Sequence, residues 1–351
     1  MEKRIEEFDI LKGIGILTVV MFHSVFYNFQ TYGSITRHIL YFFGPFGTPV
    51  VVIFFFVSGF LGYKSYEKNK NSWDFISKKL KIFLPPYFLW STIYIMLGIF
   101  FEHYTGFSYN LNFWDILSDY VFATSYLPFY FLFVLLILFI FTPYFFGIKK
   151  LMPLMIILFI FGVIFTSLYY IPQYYGHVIV DSTVTYRNPL LWAFFYLWGM
   201  YTAKNGRLFW TKNPSLSIWI GLCLSYVGAM LMILTVPKLT FDYESYVALS
   251  PFEYLLYFFS MPVFLWLSYL IKSKKYSKLF SIFGKHSLDI YIDHVLIIGL
   301  VLAIFVPFMP NVTSESNFYI QFMVGIVACL IAIFVGMRVK FISKRFYDII
   351  F

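Results

Sequence analysis

Long apolar runs separated by short polar segments recur along the whole chain of 351 residues. Of these residues 60% are hydrophobic and 12% are charged, whereas about 25% are charged in a soluble domain. Since one spanning helix needs about 20 apolar residues, a bilayer can hold an apolar content that a soluble core cannot. The pattern predicts an all-α, polytopic membrane protein and excludes a soluble enzyme and a disordered chain.

The apolar runs predict about ten transmembrane helices in one bundle. We expect residues 1–351 to form a single transmembrane domain with no appended soluble domain. We also expect the first run to stay as a helix, because acidic residues precede it and no cleavage site follows it. The expected spans are 8–28, 42–63, 82–101, 128–147, 152–171, 189–203, 215–236, 251–271, 287–308 and 318–338.

The basic residues predict the orientation of this bundle. Of the 26 lysines and arginines, 22 fall in the two terminal segments and in alternate loops, against three in the intervening loops. Basic residues concentrate in cytoplasmic loops, so we expect both termini to be cytoplasmic and the protein to be multi-pass in the cell membrane. The net charge of +9 then reflects orientation and does not indicate nucleic-acid binding. Segment 64–81 is expected to be a cytoplasmic loop, and the outer segment 102–127 could lie partly in the membrane interface.

The first apolar run contains two ionisable residues, Lys12 and His23. Their spacing of 11 residues places them on one helix face, about 16 Å apart along the axis. Such residues are costly inside a bilayer and suggest a functional site. Asp9 lies one turn before Lys12 and could pair with it, while Gly13 and Gly15 allow close approach of a helix or a ligand.

The chemistry of these residues leaves two interpretations open. A neutral imidazole can take a proton from a hydroxyl group, so His23 is a candidate general base. Lys12 can meet an anion that enters from the cytoplasmic side. The alternative is that Lys12 extends to the lipid headgroups and His23 only bonds a neighbouring helix.

Four segments in order support a resemblance to a known family. Segment 8–23 carries Lys12 and His23; segment 54–61 reads Phe-Phe-Phe-Val-Ser-Gly-Phe-Leu; segment 78–87 is basic and leads into a proline pair; segment 284–294 has the form Gly-Lys-x-Ser…Tyr-x-x-His. Together they resemble the acyltransferase 3 family of membrane acyltransferases. That family has a basic residue, ten intervening residues and then a histidine in its first helix, and Lys12 and His23 match these two positions. Arginine is commoner at the first position, and Lys12 keeps the charge without the bidentate fork.

The resemblance implies transfer of an acyl group, often acetyl, from cytoplasmic acyl-CoA to a hydroxyl group. The acceptor it implies is a cell-surface glycan or a lipid-linked sugar, so the expected partners are acyl-CoA, this acceptor and the bilayer. No permanently bound cofactor and no metal are expected, and envelope-biosynthesis proteins are possible further partners. Direct attack of the acceptor with His23 as base and an acyl-histidine intermediate both stay open.

Five further residues are candidates for binding. Lys78, Lys79 and Lys81 could contact CoA phosphates, or they could simply be part of a basic cytoplasmic loop. Ser58 lies in a small-residue gap that favours helix packing over a role with substrate. Arg187 could contact an acidic or sugar-phosphate acceptor, or anchor the chain in the interface.

The last motif supplies a further group of polar residues. Tyr291 and His294 are one turn apart and should face the same way, lining the acceptor cavity or making a structural hydrogen bond. Asp289 and Asp293, with His286, could in principle hold a metal. A wet, hydrogen-bonded cap at the membrane edge is the more ordinary arrangement for such a group.

The main alternative function is a polytopic transporter or flippase for polysaccharide or lipid-linked sugar. Ten helices with buried polar residues would suit it. Transporters often show related halves with broken helices, and we find no such symmetry in this sequence. A different class of membrane O-acyltransferase and an inactive scaffold are the remaining alternatives.

Overall fold

The computed structural model describes residues 5–26, 42, 44–45, 47–100, 112–174, 186–206, 213–235, 250–305, 323, 326–335 and 337–338. Within these ranges the chain is all-helical and contains no strand. The helices, in chain order, are α1 (Glu6–Phe26), α2 (Val50–Asn69), α3 (Ser72–Phe100), α4 (Phe113–Phe122), α5 (Tyr130–Gly147), α6 (Leu151–Tyr174), α7 (Pro189–Asn205), α8 (Leu216–Thr235), α9 (Pro251–Lys272), α10 (Ser277–Lys285), α11 (Ser287–Phe305) and α12 (Ile326–Val335).

Each of the ten predicted spans contains one of these helices, which confirms the all-α prediction. Among the described residues, five helices are long and apolar enough to cross a membrane: α2, α3, α5, α6 and α9. The total of ten spans and the cytoplasmic position of both termini stay predictions.

The basic segment 64–81 is mostly helical, so its prediction as a loop was wrong. Helix α2 continues to Asn69 and α3 begins at Ser72. Between them, Lys70 adopts the left-handed conformation with φ 51°, and Asn71 Oδ1 accepts a bond from the backbone N–H of Asp74 at 3.1 Å. Lysine is a good helix former, and its charge marks exposure rather than irregular backbone.

The loop and outer segments also contain two short helices that hydropathy did not indicate. Helix α10 lies in the basic segment after α9. Helix α4 lies in the outer segment 102–127, of which residues 102–111 are outside the described ranges. Asn112 caps α4 through its side chain, and Phe113 and Trp114 are exposed. This is the composition expected of a helix at the membrane interface.

The contacts divide the chain into two compact units. The first comprises Met1–Phe54, Gly162–Ile179 and Arg207–Phe351, and the second comprises Phe55–Phe161 and Val180–Gly206.

Helix α1 is the centre of the first unit, where it packs against α9, α10 and α11. Two glycines permit the closest of these contacts. A Cβ at Gly13 would overlap the Phe280 carbonyl, and one at Gly284 would overlap the Asp9 carbonyl. Further along α1, Ile16 and Val20 join a buried cluster with residues of α11 and α12. Gly13, one of the two glycines predicted to permit close approach, therefore serves a helix crossing.

The second unit is built around the crossing of α2 and α7. A Cβ at Gly59 would overlap the Tyr196 carbonyl, and one at Gly199 would overlap the Phe56 carbonyl. The Tyr196 hydroxyl lies 2.6 Å from Thr142 Oγ1 on α5, which satisfies both groups inside the core. Trp192 stacks on Phe55 with ring centroids 5.1 Å apart.

Candidate active site

The start of α1 carries a largely buried ion pair. Lys12 Nζ lies 3.1 Å from Asp9 Oδ1, and the exposed fractions of the two side chains are 20% and 5%. The pair follows from the i,i+3 spacing of the two residues on one helix. Lys272 on α9 forms a second ion pair with Glu7 at 2.7 Å. The predicted pairing of Asp9 with Lys12 is confirmed.

His23, in the last turn of α1, meets His294 of α11. Their ring centroids are 5.2 Å apart at an interplanar angle of 53°. His23 is half-buried, whereas His294 is fully buried. The sequence placed both residues in spans but could not bring them together, because they are far apart in the chain.

The orientation of the His294 ring follows from one hydrogen bond. His294 Nδ1 lies 2.7 Å from the carbonyl oxygen of Tyr291. A carbonyl only accepts, so Nδ1 carries the hydrogen, and in the neutral ring Nε2 is an acceptor. Nε2 is buried and has no hydrogen-bond partner within the residues that the structure covers. It can therefore accept a hydrogen bond from a hydroxyl group.

Tyr291 lies beside this pair, as predicted from its spacing. Its ring centroid is 5.7 Å from that of His294. The ring also packs against the buried cluster of α1, α11 and α12. The same turn of α11 thus orients His294 through a backbone carbonyl and borders it with an aromatic ring.

Asp293 is a candidate that the sequence reasoning undervalued. It is fully buried, and neither carboxylate oxygen has a hydrogen-bond partner among the described residues. An unpaired buried carboxyl is costly, so its position invites a functional explanation. The available signal was an acidic residue next to His294 in an apolar helix.

The neighbouring polar residues differ in exposure from Asp293. His286 Nδ1 lies 3.6 Å from Asp289 Oδ2, with side chains 27% and 19% exposed. The expected wet cap at the helix end fits the exposure of His286 and Asp289, although His286 Nδ1 is buried and has no hydrogen-bond partner among the described residues. Its extension to Asp293 was wrong, because Asp293 is fully buried. In the described part of the chain, no group of three His, Cys, Asp or Glu side chains could hold a metal ion.

The three lysines proposed for CoA phosphates lie on α3, in the second unit, and differ in their surroundings. Lys78 pairs with Asp74 at 2.9 Å and is largely exposed. The ammonium of Lys79 lies 4.7 Å from the ring centroid of Phe139 and 5.5 Å from that of Phe75. Lys81 is exposed. The ammonium charge of Lys79 is thus partly stabilised by the faces of two aromatic rings.

Arg187 and Ser58 also belong to the second unit. Arg187 Nε donates to the Phe122 carbonyl at 2.7 Å, and Nη2 donates to the Ala123 carbonyl at 3.0 Å. These bonds provide donors for two carbonyl groups at the end of α4, where Ala123 has a φ of 56°. Ser58 is half-buried next to Gly59 at the α2–α7 crossing, which favours its packing role.

Comparison with known proteins adds one finding to this geometry. A family model described as an acyltransferase domain matches residues 5–338, essentially the whole chain. Neither the curated proteins nor the solved structures gave a match. The match includes α1 with Lys12 and His23 and α11 with Tyr291 and His294.

Proposed function

The chain belongs to the acyltransferase family whose model spans residues 5–338, and from this premise we propose a specific reaction. The protein transfers an acyl group, in the simplest case acetyl, from acyl-CoA to a hydroxyl group. The acceptor is a cell-surface glycan or a lipid-linked sugar. The reaction takes place within the cell membrane, with acyl-CoA entering from the cytoplasmic side.

The observation that carries this proposal is the contact of His23 with His294. It joins an imidazole of the first helix to a fully buried imidazole that has an acceptor nitrogen available. Acyl transfer to a hydroxyl group needs a base for the hydroxyl proton, and imidazole is the side chain most often used. A pair of imidazoles offers one ring as base and a second polar contact for a sugar with several hydroxyl groups.

In the proposed reaction His23 is the general base. It takes the proton of the acceptor hydroxyl as the hydroxyl oxygen bonds to the carbonyl carbon of the thioester. The carbon–sulfur bond then breaks, and the CoA thiolate leaves and receives that proton from the imidazolium of His23. The ester and free CoA are the products, so atoms and charge balance without a metal or a redox partner.

His294 and Tyr291 bind the acceptor in this scheme. The bond from His294 Nδ1–H to the Tyr291 carbonyl holds the ring. Nε2 then accepts a hydrogen bond from a second hydroxyl group of the sugar, and the Tyr291 ring borders the same site. Substrate contacts of Ser58 and Arg187 stay predictions, because both residues have packing or capping roles that explain their positions.

We propose that lysine side chains contact the acyl donor, acyl-CoA. Lys12, with 20% of its side chain exposed and Asp9 at its side, remains accessible to a phosphate or carbonyl oxygen of acyl-CoA. Lys78, Lys79 and Lys81 lie together on one turn of α3 in the second unit, and their contact with CoA phosphates stays a separate prediction from the sequence. Ammonium–phosphate hydrogen bonds are among the stronger ones that a protein makes.

The test is transfer of label from radiolabelled acetyl-CoA to a membrane glycan extract by the purified protein. His23→Ala is expected to lower the rate by about 10²–10⁴-fold, the usual contribution of a general base. His286→Ala is the matched control, because His286 is a partly exposed histidine outside the His23–His294 contact. Equal rates for wild type and His23→Ala would exclude His23 as the base. Sugar movement across vesicles without thioester loss would instead support a transporter.

A further inference from the structure

A groove in the second unit lies at the turn between α5 and α6, next to the end of α7. It has a volume of about 660 Å³. The turn contributes Lys149 and Lys150, and α7 contributes Tyr201 and Lys204. The first turns of α6 contribute apolar side chains, including Ile156 and Ile157. One end of the groove is therefore basic and the other is apolar.

The basic end is set up to receive an anion. Lys149, Lys150 and Lys204 are exposed, and no Asp or Glu occurs among the residues that line the groove. Lys204 Nζ donates to the carbonyls of Ile148 and Lys149 at 3.0 and 2.9 Å. These bonds use two of the three N–H donors of the ammonium and fix its position. The third donor is left for a ligand oxygen.

The apolar end continues onto the outer surface of α6. Met152, Ile156, Ile157 and Ile160 are 44%, 52%, 62% and 51% exposed. Helix α6 is one of the five helices that are long and apolar enough to cross a membrane. An exposed isoleucine row on such a helix faces hydrocarbon chains, so the apolar end of the groove opens toward lipid.

We propose that this groove binds the phosphate headgroup of an anionic phospholipid. The three lysines contact the phosphate, Tyr201 borders the headgroup, and the acyl chains lie along the isoleucines of α6. Lysines, a tyrosine and apolar side chains line this one groove, and they suit the headgroup, the interface and the acyl chain of a lipid. A soluble phosphate would use the lysines and leave the apolar end uncovered, so charge and apolar surface together favour the lipid.

The predicted orientation agrees with this assignment. The turn 148–151 is one of the segments expected on the cytoplasmic side, where anionic lipids concentrate and attract basic residues. The site does not depend on the proposed acyl transfer, since none of its residues takes part in that reaction.

The test measures lipid that stays bound to the full-length protein through purification. Purified protein is exchanged into detergent with equal phosphatidylglycerol and phosphatidylcholine, and bound lipid is counted by native mass spectrometry. The double variant Lys149→Ser with Lys150→Ser is expected to bind phosphatidylglycerol at least about tenfold more weakly, since each lysine contributes roughly fivefold. Lys274→Ser with Lys275→Ser removes the same charge from another exposed pair and is expected to change nothing.

Three outcomes would overturn the proposal. The first is equal retention of phosphatidylglycerol by the double variant and wild type, and the second is equal retention of phosphatidylcholine by wild type. The third is displacement of the lipid by glycerol phosphate or by free CoA at the lipid's own concentration. That result would assign the lysines to a soluble phosphate ligand.

Discussion

The two units differ in whether their buried polar side chains have hydrogen-bond partners. In the second unit Thr142 pairs with Tyr196, Arg187 and Lys204 cap helix ends, and Lys79 rests on aromatic rings. Within the described residues, every buried side-chain nitrogen or oxygen that lacks a hydrogen-bond partner belongs to the first unit. They belong to Tyr170, His286, Asp293 and His294.

This difference in hydrogen bonding bears on which unit is the better candidate for an active site. A polar group that is buried without a partner costs stability, and proteins keep such groups mainly where function needs them. Helix α1 with His23 and α11 with His294 belong to the unit that carries this cost. The unpaired groups of Asp293 and His294 on α11 are consistent with the site proposed for the first unit.

The most severe expected loss tests the helix crossing that supports the first unit. Gly284→Val would drive a side chain into the Asp9 carbonyl, and overpacking of this kind costs about 1–3 kcal/mol or more. We expect no folded protein or a strongly lowered melting temperature, measured by thermal unfolding in detergent. Gly147→Val is the control, because a Cβ at this position at the end of α5 would meet no other atom within 4 Å. Similar melting temperatures for the two variants would contradict the close crossing.

The next largest effect separates activity from stability. His294→Ala should raise the KM for the acceptor by about 10- to 100-fold, the range of a lost buried hydrogen bond, with little change in melting temperature. Thr142→Val in the second unit should do the reverse. It breaks the 2.6 Å contact with Tyr196, lowers stability by about 1 kcal/mol and leaves the activity of folded molecules unchanged. If each variant lost activity in proportion to its loss of stability, the two units would not differ in this way.

A pair of matched lysines tests the donor site. Lys12 and Lys64 each form an i,i+3 ion pair, at 3.1 and 2.9 Å, but only Lys12 lies in the first unit. Lys12→Ala should raise the KM for acetyl-CoA by about tenfold, as expected for a lost charged hydrogen bond. Lys12→Arg should restore most of the affinity because it keeps the charge. Lys64→Ala should behave like wild type, and an unchanged KM in Lys12→Ala would exclude the donor contact.

The smallest effect concerns the buried carboxyl of α11. Asp293→Asn removes an ionisable group that lacks a protein partner within the described residues, so we expect a melting temperature a few degrees higher. Transfer activity should fall at the same time, since sites retained at a cost usually serve function. Asp74→Asn on α3 removes a half-buried carboxylate that is paired with Lys78, and it should not stabilise the protein. A stable and fully active Asp293→Asn would show that the carboxyl has no role.

Much of the fold followed from the sequence because its determinants are local. An apolar run of sufficient length specifies a helix in each of the ten predicted spans, and the pairing of Asp9 with Lys12 needs only i,i+3 spacing. The loop predicted at 64–81 failed because charge reports exposure and not backbone conformation. Hydropathy did not predict helix α10, because the polar side chains on one face of this short helix lower its mean hydropathy.

The site was predictable only in part for a different reason. His23 stood out as an ionisable residue within an apolar run, and the spacing of Tyr291 and His294 placed both on one face. Their meeting across α1 and α11 depends on tertiary packing, which no local pattern encodes. The same holds for Arg187, whose bonds to the end of α4 join residues that are distant in sequence.

The crossing of Gly13 with Phe280 has a consequence for synthesis of the protein. Helix α1 is synthesised well before its partner α10. At roughly 5–20 residues per second, α1 waits on the order of 10–60 s with this face uncovered. During that interval Asp9 and Lys12 have each other but not the helix that later encloses them. The nascent protein therefore keeps this face of α1 uncovered until α10 has been made.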